Sequence, residues 1–520
     1  MGFLQGGGRV TLANLVTVTF HSAYAAGFDR FTRDYVTNFG SNNQNLTINY
    51  NTNNPAQRSY TIQDSSGNYY DATNPSNYTF SNATNSPTRW HDEVFDEGAS
   101  ASIPTDFGLA LGTFEAGFNA HLRTRNSISE QASLTPNTGN YPLSYVTGGN
   151  PSQSTYSGLY PLGPNLNYGT YFGIPYTVTP NTISNLQSYQ HDREDVYAGY
   201  GQETLQYGNL SVIAGLRVEA TDAAYSGYGS TTDANGNTIV NGQLTTKSQS
   251  YVNVFPSVQL AYAITQKLQA RFSYSSGISR PGFQQISPAI SFTAQGGQGG
   301  RDLVNTGNPN LKPQTGNSFD IVMAYYLSSD DILEADAFIK TFQNYIVART
   351  SNTTTTTYQT YSNISGAQAR SIVLQAIHHF HELPGPFSGL FVNANATLVD
   401  ATANVIQGQG RSILPLSYPF TFNVEEGYDK GAYHAHLSES YTSRNLFAVG
   451  SDPSTNVYTQ PMFGMNADIE YDVTPQWQAF FQVHNIRNTV LEFTQSASRQ
   501  FPIQREYYGQ DFLFGIHYHL

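Results

Sequence analysis

The stretch from Arg271 to Tyr345 limits most what this chain can fold into. Leu268–Ser276 alternates apolar and polar residues and runs out at Ser279-Arg280-Pro281. A passage rich in turn formers follows, centred on Gly307-Asn308-Pro309-Asn310-Leu311-Lys312-Pro313-Gln314-Thr315. Alternation then returns in 319–326 and again in 333–340, with only Leu327–Ile332 between them. A period of two is the signature of strands that show one face to each side. Here one strand opens into a long excursion, and the next two are joined by a tight turn. Long connections at one end and short ones at the other are the pattern of an outer-membrane barrel.

The same rhythm is legible elsewhere. Residues 101–111 and 113–123 read as a hairpin across Gly112, with Phe114, Ala116, Phe118 and Ala120 on one face. Residues 195–207 and 210–219 join at Gly208-Asn209, and 251–264 returns as a strand. Further hairpins turn at 382–386, at Asp429-Lys430-Gly431 and at Thr474-Pro475. The intervening tracts 38–89, 126–188, 222–248 and 350–366 are polar and read as loops. The end of the chain places Phe512, Phe514, Ile516, Tyr518 and Leu520 on one face, expected toward lipid, and His517 and His519 toward the lumen. Near the start, residues 9–20 alternate loosely and 26–34 are too mixed to assign. Leu12–Phe20 before Ala23-Tyr24-Ala25-Ala26 mimics a secretory leader. Asn14, several Thr and a lone Arg9 favour a strand instead.

Composition narrows the class. Charged residues are 12% of the chain, against roughly 25% in an average soluble protein. Aromatics reach 13%, and a mean hydropathy of -0.39 leaves Asn, Gln, Ser, Thr, Tyr and Gly to supply the polarity. The net charge of -13 argues against nucleic acid, which needs clustered Lys and Arg. With no Cys, disulfides and thiolate metal sites are unavailable. No apolar run reaches the length of a transmembrane helix, which a barrel does not need.

Local chemistry is sparse. Asn-x-Ser/Thr at Asn45, Asn77, Asn82, Asn209, Asn363 and Asn395 is what so Asn-rich a chain produces by chance. His378-His379-x-His381-Glu382 is the one dense group of metal-capable side chains, but on a strand His378 points away from His379 and His381. The expectation is therefore no metal, no cofactor and polar residues beside a turn. Asp330-Asp331 and Glu425-Glu426 are neighbours on opposite strand faces or in a turn, so neither pair converges on a substrate. No enzyme motif is present, and no catalytic residue is assigned. Tyr141, Tyr145, Tyr156, Tyr160, Tyr168 and Tyr171 crowd one long loop. Their flat faces and hydroxyls suit small ligands, although each alone serves equally well as a loop anchor.

Taken together, RPGFQQISP from Arg280 and Pro281, GNPNLKPQT from Gly307, FDIVMAYYL and ADAFIKTFQNYI resemble the barrel of a TonB-dependent receptor. GLRVEA at 215–220 and the LPGPFSGL, YDKG and YDVTPQW turns extend the resemblance to roughly residues 100–520. Gly515-x-x-Tyr518-x-Leu520 is similar to the terminal signal read by barrel-assembly machinery, with Leu520 where Phe is usual. The resemblance implies an all-β, antiparallel transmembrane barrel in the bacterial outer membrane. It also implies uptake of a small molecule or oligosaccharide, energised by the TonB complex through a plug. Neither plug nor coupling box is visible in the chain. The period-two count is about seventeen strands, where plugged transporters have about 22. The expectation is a single barrel unit over 1–520 whose plug lies outside it. A passive porin or structural barrel, and a secreted glycan-binding β protein, are the alternatives.

Overall fold

The computed structural model describes residues 2–518 apart from Asn14, Gln44, Thr52, 54–58, 150–151, 156–159, 233–237, 294–300, 406–409, Ser451 and 499–500. Of the side chains, those of 152–155, 160–161, 230–232, 238–242 and 291–293 are also outside this description.

One sheet dominates. It has 18 strands, one of them only the pair Ser412–Ile413, which leaves seventeen. The first four are β1 (Gly2–Leu12), β2 (Val16–Phe31), β3 (Thr88–Asp106) and β4 (Leu111–Ser129). Next come β5 (Gln190–Tyr207), β6 (Leu210–Thr232), β7 (Thr238–Ala263) and β8 (Leu268–Ser279). β9 (Gln314–Tyr326), β10 (Ile332–Gln343), β11 (Ala367–His379) and β12 (Leu390–Ala403) follow. The last are β13 (Phe420–Lys430), β14 (Tyr433–Thr442), β15 (Met462–Thr474), β16 (Trp477–His484) and β17 (Asp511–Tyr518). Each strand pairs antiparallel with the next, for example β9 with β10 from Thr315↔Gln343 to Tyr326↔Ile332. The two edge strands, β1 and β17, therefore run in the same direction, and no pairing joins them among the described residues.

β10 shows why this sequence makes a membrane wall. Along ILEADAFIKTFQ the exposure alternates without a break. Leu333 and Ile339 are exposed at 44% and 45%, with Ala335 and Ala337 on the same face. Glu334, Asp336 and Lys340 lie on the other, where Glu334 accepts from Arg271 of β8 at 2.8 Å. A water-soluble sheet would reverse that assignment. Here the apolar face meets lipid, and each interior strand bonds its backbone to a neighbour on both sides, as a wall in hydrocarbon requires. Phe118, Phe319, Ile372, Phe481 and Phe514 continue the exposed apolar face around the sheet. Phe512, Ile516 and Tyr518 lie on it as expected, whereas His517 packs on Phe480 with ring centroids 4.5 Å apart. Leu520 and His519 fall outside the described residues.

Short and long connections alternate along the sheet, except between β6, which ends at Thr232, and β7, which starts at Thr238. Some boundaries differ from the expectation, each for a physical reason. The first two strands pair antiparallel up to Leu12↔Val16, so Val16–Phe20 of the leader-like stretch is strand, and β2 runs on through the mixed residues to Phe31. The hairpin assigned to Gly112 turns instead at 107–110, where Gly108 has φ +78° and its N–H bonds Asp106 Oδ1 at 2.7 Å. Gly112 lies inside β4, where a Cβ would come within 2.4 Å of Thr204 O. Its glycine serves a close approach of strands, not a turn. The expected loop at 222–248 is largely strand, since β6 and β7 extend to Thr232 and from Thr238. A strand with no lipid on either side need not alternate, so its sequence reads as loop. Residues 233–237 are outside the described set.

The long loops are themselves folded. Tyr35–Ser41, Tyr78–Asn85, Ala132–Pro136 and Tyr176–Pro180 form a four-stranded sheet. A second comprises Ile290–Thr293, Asp302–Thr306, Tyr345–Asn352 and Thr356–Ile364. Among the described residues the longest helix is Thr182–Ser188.

Candidate ligand site at the loop end of the barrel

Where β8 leaves the wall, Arg280 turns back onto the inner face of β6. Its Nη2 donates to Glu219 Oε2 at 2.8 Å and to Thr221 Oγ1 at 2.9 Å. Glu219 also accepts from Arg217 Nε at 2.8 Å, so the Arg-x-Glu of β6 and the Arg-Pro that begins the loop form one ionic clip. Glu219 is only 9% exposed. Sequestered from water, such charge-assisted bonds are strong and geometrically specific. Pro281, next in the chain, is buried. Phe283 and Ile286 then enter a small core with Ala223, Tyr225 and Leu311. Arg123 and Arg125 face the Phe283 ring from 4.9 and 6.0 Å, and Arg125 also covers Trp90 at 4.6 Å.

The Gly307–Pro313 passage closes the same loop. Gly307 passes so near Ser287 that a Cβ would sit 2.3 Å from its carbonyl oxygen, so nothing larger fits. Asn308 donates from its backbone to Gln285 O at 2.7 Å and from Nδ2 to Tyr361 O at 2.9 Å. Its Oδ1 accepts from Asn310 N at 3.0 Å, an Asx turn. Gln249 Nε2 of β7 reaches Pro309 O and Leu311 O at 2.7 and 3.1 Å, and Leu311 is fully buried. The backbone of Lys312 exchanges bonds with the amide of Asn363, 2.8 and 2.9 Å, and Pro313 O accepts from Asn344 Nδ2 at 3.5 Å. These residues thus tie three loops and the wall together.

Between those loops lies a cavity of about 410 Å³. Its walls include Gln187, Gln190, Gln284, Gln359, Arg349 and Tyr361, and Gly307 forms part of one side. Sequence reasoning missed it, because the contributing residues come from four separate segments and no spacing connects them. A larger depression of about 640 Å³ over Phe272, Phe319, Ile321, Ile339 and Ile372 lies on the outer face, where lipid chains pack.

The loop tyrosines divide. Tyr141 is a core residue, 7% exposed, among Phe80, Leu134, Val146 and Ile174. Its hydroxyl shares a 2.7 Å hydrogen bond with that of Tyr176, and burial together with this bond pushes it well above the ordinary phenol range. Tyr171 packs on the same core and bonds Thr37 Oγ1 at 2.7 Å. Both are anchors. Tyr145 and Tyr168 are exposed, at 57% and 68%, and Tyr168 stacks on Phe172 with centroids 6.1 Å apart. Phe172 in turn meets Tyr35 at 5.9 Å, an exposed aromatic shelf of which the sequence had marked one member. Tyr156 and the Tyr160 side chain lie outside the described residues.

At the opposite end, His378 and His379 serve the turn before β10. His379 donates its backbone N–H to Asp331 Oδ1 at 2.8 Å and holds Nδ1 at 3.0 Å from the same oxygen; His378 Nδ1 is 3.2 Å from Oδ2. Burial raises the Asp331 carboxyl, but these bonds and that from Ser328 outweigh it and hold it at about 2. In the terminal strand a Cβ on Gly515 would meet the Phe480 ring at 2.8 Å, and Tyr518 packs on Trp477 at 4.7 Å.

Comparison with known proteins agrees with this architecture. The chain is similar in fold to the siderophore receptor PiuA of Acinetobacter baumannii, with a TM-score of 0.58 at 12% identity, over 98% of this chain and 63% of that one. The ferric-catecholate import receptor Fiu of E. coli gives 0.55 at 15% identity, over 98% of this chain and 65% of that one. The chain therefore spans less than two thirds of either structure. No curated protein matches it significantly. A family model described as TonB dependent receptor-like, beta-barrel matches residues 5–486. The chain belongs to that family, as a β-barrel of the bacterial outer membrane.

Proposed function

We propose that this barrel is the membrane part of a receptor that captures a scarce small nutrient outside the cell and imports it with energy from the TonB complex. Siderophore, cobalamin and oligosaccharide are the ligand classes this reading admits. The observation that carries it is the built loop end: Arg280, Glu219 and the Gly307–Pro313 passage hold a loop across the inner wall and frame a cavity there. A passive pore needs no such clip. Coupling to the inner membrane would run through a plug against the charged inner face, in which Arg271–Glu334 is one of the ion pairs.

The test is uptake in a strain stripped of its own receptors, with membrane insertion confirmed and the proton gradient present or collapsed. Residues 1–520 alone should import nothing, whereas the chain supplied with a family plug should import in a gradient-dependent way. Gradient-independent leak through the plugged form would favour the porin reading.

A further inference from the structure

We infer that the cavity at the loop end takes a neutral, polyhydroxylated ligand, a saccharide of one or two rings; the inference rests on the receptor reading and narrows its ligand. At about 410 Å³ the cavity sits toward the small end of the roughly 300–1,000 Å³ usual for small-molecule sites. Its lining is dominated by uncharged amides and hydroxyls. Gln187, Gln190, Gln284 and Gln359 all face it, and their side-chain amides make no hydrogen bond to any described residue. Gln187 is the most enclosed of the four, at 9% exposed, whereas Gln284 and Gln359 are exposed at the mouth.

The donor set selects the ligand chemistry. Each Gln amide offers two donors and an acceptor, and each sugar hydroxyl both donates and accepts, so the two match without net charge. Tyr361 adds a flat apolar surface for the face of a ring. It is held there by Asn308, whose Nδ2 donates to its carbonyl oxygen at 2.9 Å. Arg349 is the sole charged lining residue among those described. Its guanidinium is already committed, donating from Nε to Ser362 Oγ at 3.0 Å and from Nη1 to Val405 O. A ferric catecholate carries several negative charges, and this lining offers it one occupied cation. Among the described residues no carboxylate or imidazole lines the cavity to take a bare metal ion.

The experiment is calorimetric titration of the purified full chain in detergent with maltose, cellobiose, xylobiose and ferric tris-catecholate. Heat-modifiable gel mobility would certify a folded barrel for each protein used. At least one disaccharide should bind, and Gln284→Leu and Gln359→Leu, which keep volume and remove hydrogen bonding, should each weaken it about tenfold. The catecholate should not bind in the cavity. If a folded chain binds none of the disaccharides, the saccharide assignment is overturned; binding of the catecholate in that case would leave the receptor reading standing. If a disaccharide binds and both variants match the parent, the cavity is the wrong site and the inference fails.

Discussion

At one end of the barrel, strands are joined by connections as short as Gly208-Asn209, Gly431-Ala432 and Pro475-Gln476. At the other, the chain builds whole sheets with their own buried clusters before it re-enters the wall. The short end is governed by local rules: a glycine at φ +53° or +65° reverses the chain, and the next strand pairs with the last. The loop end is governed by contacts between segments distant in sequence, such as Phe80 with Tyr141 and Asn308 with Tyr361. The contrast shows where membrane geometry shapes the chain and where ligand capture has freed it to vary.

Removing a core side chain at the loop end should separate the two regions most sharply. Leu311→Ala empties a fully buried position, and the cost should be about 2–5 kcal/mol. It should appear as proteolysis of the loops while the barrel keeps its heat-modifiable mobility. Joint loss of both would mean that the ends are not independent. On the wall, Phe514→Arg puts a charge on the lipid face and should cost about 2–4 kcal/mol if the site lies near the midplane, less at an interface. His517→Arg, on the inner face, should cost much less; the opposite order in urea titrations would mean the register is shifted by one residue.

Smaller effects sharpen the comparison. Tyr141→Phe keeps the loop core and removes the bond to Tyr176, a loss of about 1 kcal/mol seen as faster amide exchange in 132–136 and 176–180 only. The acid response should come from the short-turn end. The Asp331 carboxyl is held at about 2, below the ordinary carboxylate value of about 3.9. Because the folded value is the lower one, its stabilisation is complete above roughly pH 4 and is lost as the pH falls toward 2. Thermal melts of the parent should therefore fall more steeply across that window than those of Asp331→Asn. Equal slopes would remove Asp331 from the account.

The same division decides what the sequence reveals. Strands such as β10 are legible because lipid on one side and water on the other set Leu333, Ala335, Ala337 and Ile339 on one face and Glu334, Asp336 and Lys340, with Phe338, on the other. Above the membrane that constraint lapses, and β6 and β7 run on through residues that look like loop. Glycine is ambiguous for a related reason: Gly108 and Gly112 are four residues apart, one turning the chain and the other admitting a neighbouring strand. The Gly307–Pro313 passage stands out in the sequence, yet its partners Gln249, Tyr361 and Asn363 do not, since nothing local pairs them. The cavity was invisible for that reason too.

The central claim is that this sheet faces lipid on one side and an aqueous lumen on the other. The chain has no Cys, so a single cysteine can be placed at each position of β10 from Leu333 to Phe342 and labelled with a nitroxide. In lipid vesicles, relaxation by oxygen should peak at 333, 335, 337 and 339, and relaxation by a water-soluble nickel chelate at 334, 336, 338 and 340. A profile that does not alternate, or one with the two reagents in phase, would contradict the account.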